Sequence, residues 1–358
     1  MTHNGLELLR RLGVDVLDGR YKAEAPVGSS FGGAAFKGVD QVSGQPVFMK
    51  YLVSPRGDHE RAKFLLEAQV LQDLEKWQHR VSPRLIHFAH PSDIDVLALV
   101  LEWIEGEMLT EYLARAPHIP LEERIETFHR IVRAASSATL PYQHRDIHPG
   151  NILLESRESA RIGPETLERD VYSAVKILDW GEALPHIFGS YDDEPDHHFV
   201  LYERAPVTIS GSFTNLPPEI FTRWQVAQGL GGTYEVWGLG LLFYSLMTGK
   251  PPIKHRGLGE YIEAIQTGEL REWIDGAHQE LCTLDLPGGS ILPRIWKRML
   301  SISRVERCEL STVGRILWDI RYEALALPDG FRLDAYMANP NAYQPEGGWT
   351  YSSIPDFD

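Results

Sequence analysis

The stretch TYEVWGLGLLFYSLMT at 233–248 constrains the fold of this chain more than any other. It has the length and residue types of a helix, and it is apolar almost all round rather than along one stripe. Such a helix has to be enclosed on every side, by protein or by lipid. Its apolar run falls short of the roughly 20 residues that cross a bilayer. The segment therefore predicts a domain with enough helices to surround it. Gly249, with Pro251 and Pro252 just beyond, predicts where the helix stops.

The rest of the chain supplies that domain and puts a different kind of structure before it. RYKAEAPVG, AAFKGVD and PVFMKYL are short strand-like runs joined by glycines and the turn-like VSGQP. HERAKFLLEAQVLQDLEKW then has helical periodicity, with Phe64, Glu67, Leu71 and Leu74 at intervals of three and four, so Glu67 shares the apolar face. DVLALVLEWI predicts a buried strand and EGEMLTEYLARA a helix, followed by a long helix over LEERIETFHRIVRAASSAT between Pro120 and Pro141. NILLE and VKILD are short strands flanking a polar insertion. This order predicts an α+β chain with a strand-rich lobe, then a larger helix-rich lobe, joined near EWIEGE. A chain of 358 residues with 43% hydrophobic content can bury cores of that size.

Charge narrows the function. With 35 Lys and Arg against 50 Asp and Glu, the net charge is −15, which argues against nucleic-acid or membrane-surface partners, both of which need a cationic face. The two cysteines, Cys282 and Cys308, make no disulfide framework and fit a reduced compartment. The opening MTHNGLELLRRLGVDVLDG is amphipathic and interrupted by charge, unlike a secretory leader. A cytoplasmic location is the expectation.

HRDIHPGN at 144–151 runs directly into the apolar ILL. An Arg-Asp pair, a Pro-Gly turn and an Asn five residues after the Asp suit a loop that holds a metal and a proton acceptor. Phosphoryl transfer needs those groups, a flexible loop over the phosphates and a cation on their oxygens. In this setting the chain resembles the protein-kinase superfamily over about residues 21–320. The resemblance implies a two-lobed protein-kinase-like fold: an N-terminal extension at 1–20, an N-lobe at 21–104, a C-lobe at 105–327 and a tail at 328–358. It also implies ATP and Mg as cofactors. VGSSFGGAAFKG matches the glycine-rich loop, with Gly28, Ser30 and Gly33 at its glycine positions. Lys50 matches the strand lysine on the phosphates and Glu67 its helix partner. Asp146 matches the catalytic aspartate, with His148 beside it; Asn151 and Asp179, the latter in DWG, match the metal ligands. Phe48, Glu102, Ile104 and Leu153 fall at adenine-pocket positions, and Arg307 is placed to pair with Glu219 of PPE.

Four positions depart from the family pattern. Ser30 replaces the middle glycine, Phe48 an alanine over the adenine, Ala35 a valine, and Glu235 the aspartate that anchors the catalytic loop. Every charged catalytic part is nevertheless present, so an active enzyme is expected, with a nucleotide-binding pseudokinase scaffold as the alternative. His148 stands where Ser/Thr kinases carry lysine, and HPGN resembles small-molecule kinases of the aminoglycoside and choline type. Arg145, completing HRD, and GSFTNLPPE at 211–219 resemble protein kinases instead. A Ser/Thr protein kinase acting on protein hydroxyls is the first reading, and a small-molecule kinase the second.

Two segments remain. Ser190, Thr208, Ser210, Ser212 and Thr214 are candidate phosphorylation sites between DWG and PPE, and YDDEPDHH in that stretch reads as a solvated acidic run rather than a metal cluster. The tail carries Tyr343, Trp349, Tyr351, Ile354 and Phe357, a load of apolar residues that predicts docking against the body.

Overall fold

The computed structural model describes residues 3–28, 33–77, 80–91, 94–138, 142–156, 175–185, 215–222, 233–253 and 257–322. The N-terminal part comprises α1 (His3–Leu12), β1 (Val16–Leu17), β2 (Tyr21–Gly28), β3 (Gly33–Asp40), β4 (Pro46–Val53), α2 (Asp58–Lys76), β5 (Leu85–Ala89) and β6 (Val96–Glu102). Its strands form one sheet in the order β1-β2-β3-β4-β6-β5, antiparallel throughout.

Side-chain alternation along the central strands separates two cores. Val47, Met49 and Tyr51 of β4 and Val96, Ala98 and Val100 of β6 face outward, under Leu9, Val14 and Leu17. Leu52, Leu97, Leu99 and Leu101 face inward and join α2 and the C-terminal helices in one continuous core. Residues before 21 therefore cover the sheet: β1 pairs with β2, Leu9 is buried, and the Tyr51 hydroxyl donates to the Val14 carbonyl at 3.0 Å. Burying a leucine of this kind stabilises by roughly 1.5–3 kcal/mol, so the amphipathic opening of the chain is a lid on the sheet.

The C-terminal part holds β7 (Gly106–Met108), α3 (Leu109–Arg115), α4 (Leu121–Ala138), β8 (Tyr142–Gln143), β9 (Ile152–Glu155), β10 (Val175–Ile177), β11 (Leu184–Pro185), α5 (Glu219–Thr222), α6 (Thr233–Thr248), α7 (Leu258–Thr267), α8 (Glu269–Cys282), α9 (Ile291–Met299) and α10 (Leu310–Tyr322). The helix predicted over EGEMLTEYLARA starts later than expected. Gly106–Met108 pair with β9 as a strand, and a Cβ on Gly106 would lie 2.3 Å from the Leu154 carbonyl oxygen. Tertiary strand pairing outweighs local helix preference there.

As predicted, α6 is central, with every residue from Tyr234 to Met247 buried. Phe243 meets Phe128 of α4 edge-on at 4.9 Å, and the Trp296 indole of α9 donates to the Gly240 carbonyl at 2.8 Å. Gly238 marks a close approach of α6 to the HRDIHPGN loop. A Cβ there would stand 2.9 Å from the Ile147 carbonyl oxygen, so only glycine lets α6 lie this close to the HRDIHPGN loop. The helix ends at Gly249, whose φ of 69° is the left-handed turn predicted for that position. Among the described residues no helix is long and apolar enough to cross a membrane.

Candidate active site

Lys50 lies mid-way along β4, on the inward face of the sheet, and Glu67 lies on the buried face of α2. The Lys50 ammonium donates to Glu67 Oε2 at 2.7 Å and to Asp179 Oδ1 at 3.1 Å. Burial opposes the Lys50 charge, but the carboxylates of Glu67 and Asp179 outweigh it and hold its pKa above the ordinary lysine value. Asp179 is held below the ordinary carboxylate value: burial pushes it up, and the Lys50 charge more than offsets that.

The HRDIHPGN loop is fixed from three sides. From below, Glu235 of α6, which is buried, accepts the Arg145 amide at 2.7 Å, so the longer carboxylate still anchors the loop. From behind, the His144 ring accepts the Asp146 amide at Nδ1, 3.2 Å, and bonds the Leu178 carbonyl through Nε2 at 2.8 Å. This pattern makes His144 a neutral imidazole protonated at Nε2, and burial holds its pKa below the ordinary histidine value. Trp180 of DWG, fully buried, meets the His144 ring edge-on at 4.6 Å and donates to the Ile177 carbonyl at 3.2 Å. From the side, the Leu178 amide donates to the Asn151 carbonyl at 2.8 Å. That bond brings DWG beside HPGN. Arg145 and Asp179 themselves have positive φ, 67° and 59°, a conformation that costs energy for non-glycine residues and is held by these contacts.

The donor set fits a hard divalent cation. The Asn151 amide NH2 donates to the Asp146 carbonyl at 3.1 Å and to Asp146 Oδ2 at 3.4 Å, which turns its side-chain oxygen away from Asp146, where it could serve a cation. With the Asp179 carboxylate, this makes an all-oxygen pair suited to such an ion. Asp146 Oδ1 is buried and has no hydrogen-bond partner among the described residues. That is an acceptor aimed at a proton it does not yet hold.

At the opposite wall, Phe48 stands opposite Leu101 in the β4–β6 register, half-buried on the same face as Lys50. Glu102 and Ile104 follow at the junction between the two parts; the Glu102 carboxylate lies 3.4 Å from the Lys176 ammonium. Leu153 of β9, opposite Lys176, is half-buried. Gly28 ends β2 and Gly33 begins β3, while the loop between them, with Ser30, lies outside the described residues. So do the five candidate hydroxyls from Ser190 to Thr214, YDDEPDHH and the aromatic tail. Deeper in the C-terminal part, Arg307 donates to both Glu219 oxygens at 2.7 and 2.9 Å, as the sequence predicts.

A family model described as "Protein kinase domain" matches residues 21–301. The chain belongs to the protein kinase domain family. Relatives agree with this. The kinase domain is 27% identical over 166 residues, 46% of its chain, to serine/threonine-protein kinase tousled-like 2 of Xenopus tropicalis, covering 21% of that protein. It is equally similar over the same length to human tousled-like 2, covering 19% of it. It is 29% identical over 156 residues to tousled-like 1 of Caenorhabditis elegans, 43% of this chain and 14% of that one. The chain thus spans about a fifth or less of these curated relatives.

One contact of the kinase domain was not anticipated from its sequence. Lys63 of α2 forms an ion pair with Glu182, just after DWG. The sequence offers spacing alone: Lys63 stands one helical turn before Glu67 and Glu182 three residues after Asp179, which does not by itself pair the two.

Proposed function

We propose that this kinase domain is a Ser/Thr protein kinase, transferring the γ-phosphate of ATP, as its Mg complex, to a hydroxyl on a protein. One observation carries the reading. Lys50, Glu67 and Asp179 form a connected ion network, next to a loop whose Asp146 Oδ1 is buried and unpartnered among the described residues. The names of the tousled-like relatives support the Ser/Thr class.

In this mechanism Lys50 binds the α- and β-phosphates, positioned by Glu67. Magnesium, held by Asp179 and the Asn151 amide oxygen, would neutralise charge on the phosphate oxygens. Asp146 orients the acceptor hydroxyl and takes its proton as the oxygen bonds to the γ-phosphorus and ADP departs. His148 sits against the Asp146 carboxylate, and Phe48, Glu102, Ile104 and Leu153 enclose the adenine. Gly28, Ser30 and Gly33 let the loop backbone close on the phosphates. The lobes divide near 104/105, with residues 1–20 as an added lid, 105–327 as the large lobe and 328–358 as a tail. The reduced cysteines and acidic charge support a cytoplasmic location.

The test incubates the full chain with labelled ATP, Mg and a mixture of proteins, followed by phospho-amino-acid analysis. Label on serine and threonine is the expected result. Asp146→Asn removes it, by roughly a hundredfold or more, and keeps nucleotide affinity; Asp179→Ala loses Mg-dependent nucleotide binding. Label confined to a small alcohol, or variants that turn over like the parent, overturns the reading.

A further inference from the structure

Helix α2 has to sit inward for Glu67 to reach Lys50, so whatever sets its position sets activity. Its C-terminal end is fixed to the large lobe. The Tyr142 hydroxyl donates to Asp73 Oδ2 at 2.6 Å, and the rings of Trp77 and Tyr142 lie 6.2 Å apart. That end is a pivot. The other end is tied to the sheet side by the ion pair between Arg61 and Asp95, and to the DWG segment by the ion pair between Lys63 and Glu182, whose side chains are 27% and 22% exposed. At that point helix and DWG segment are in direct contact, since a Cβ on Gly181 would stand 3.6 Å from the Lys63 carbonyl oxygen.

We propose that Lys63 and Glu182 are a pair of positioning residues that hold α2 inward, so that the Lys50–Glu67 bond forms without an added phosphate or partner. The lever arms explain why this pair matters. At 1.5 Å per residue, Lys63 lies about 15 Å from the Asp73 pivot and Glu67 about 9 Å. An outward swing of about 3 Å at Lys63 carries Glu67 roughly 2 Å, enough to break a charge-assisted bond that works only near 2.7–2.9 Å. Glu182 is covalently close to Asp179, so the same contact also ties the helix to the metal-ligating segment. The chain supplies its own acidic partner for α2.

This inference rests on the kinase reading for its turnover measurement but not for its structural one. The full chain is treated with phosphatase, and the protein-kinase kcat and KM are measured alongside hydrogen exchange of the α2 amides. Lys63→Ala and Glu182→Ala are expected to lower kcat by roughly three- to tenfold, the scale of one partly buried ion pair, with little change in the protein-substrate KM. Exchange should quicken over 58–66 and stay slow near Asp73. The charge-swapped pair, Lys63→Glu with Glu182→Lys, should recover most of both. Single variants with parental kcat and exchange, or a swapped pair no better than the singles, overturn the proposal. If the parent phosphorylates nothing, the kinase reading fails and the exchange data still decide the clamp.

Discussion

His148 Nε2 faces Asp146 Oδ2 at 3.5 Å, while His148 Nδ1 accepts the Gly150 amide at 3.0 Å. The backbone donor at Nδ1 assigns the proton of the neutral ring to Nε2, on the side of the carboxylate. At 3.5 Å this is a polar contact rather than a full hydrogen bond. It leaves Oδ1 open while biasing which oxygen of Asp146 is occupied.

His148 is therefore expected to do part of the work that lysine does in this loop elsewhere in the family. His148→Ala should lower kcat by roughly tenfold, less than the roughly hundredfold or more of a full general acid or base, with the KM for ATP little altered. His148→Lys should recover most of the loss. Steady-state kinetics of the three proteins side by side is the measurement. A lysine variant as slow as the alanine one would mean that an N–H donor at this position is not what the reaction uses.

Phe48 is half-buried on the Lys50 face of the sheet, so part of its ring remains turned to the cleft. Ala35 of β3 is small and buried beside it, opposite Lys50, which leaves room for the ring without displacing the strand. Stacking on the base is the expected role. Phe48→Ala should weaken ATP by roughly 0.5–1.5 kcal/mol, about two- to twelvefold in Kd, measured by titration calorimetry. A tighter complex would identify Phe48 as a plug.

Much of this was legible in the residues because each motif draws on local chemistry. A short run bounded by turn residues predicted β4, a continuous apolar run predicted β6 as a buried strand, an all-round apolar run predicted α6, and the Asp-to-Asn spacing in HRDIHPGN picked out the loop. Periodicity put the Glu67 carboxylate on an apolar helix face, and the resemblance to protein kinases supplied Lys50 as its partner. The rest depended on tertiary contact. Gly106–Met108 form a strand only because β9 lies beside them. The lid formed by α1 is amphipathic on paper, but the sequence does not say which surface it covers. Lys63 and Glu182 look like ordinary surface charges until α2 is laid across DWG.

His144 makes the site sensitive to acid. Its folded pKa is held low by burial, so below the ordinary histidine value the unfolded chain binds a proton that the folded one resists. Stability from this group is complete above that value and is lost as pH falls from there towards its lowered folded value. Urea midpoints at about pH 7.5 and about pH 5.5 should differ more for the parent than for His144→Gln, which cannot titrate. Equal pH dependence in the two proteins would show that His144 is not the group that titrates.

The Arg307–Glu219 pair sets a larger stake. The Arg307 side chain has no exposed surface and Glu219 is one-tenth exposed; besides the two carboxylate bonds, Arg307 donates to the Ser301 carbonyl at 3.0 Å and the Thr233 carbonyl at 3.2 Å. It also stacks over Trp237 at 5.3 Å. The arginine thus ties α5 to the start of α6 and to the turn after α9. Glu219→Gln keeps the size and removes the charge, leaving a buried guanidinium with its carbonyl bonds but no counter-ion. Breaking one side of such a buried pair costs roughly 3–5 kcal/mol. The carbonyl acceptors that remain to Arg307 put the expected loss near the lower figure. Arg307→Ala should cost as much or more, since it also removes the Trp237 contact and the bonds to the Ser301 and Thr233 carbonyls. Arg307→Lys should sit between the parent and alanine, because one ammonium cannot make both carboxylate bonds in the plane of the fork. Chemical denaturation of the four proteins at one pH gives the order. A parental midpoint for Glu219→Gln would mean that the pair positions α5 without stabilising the fold.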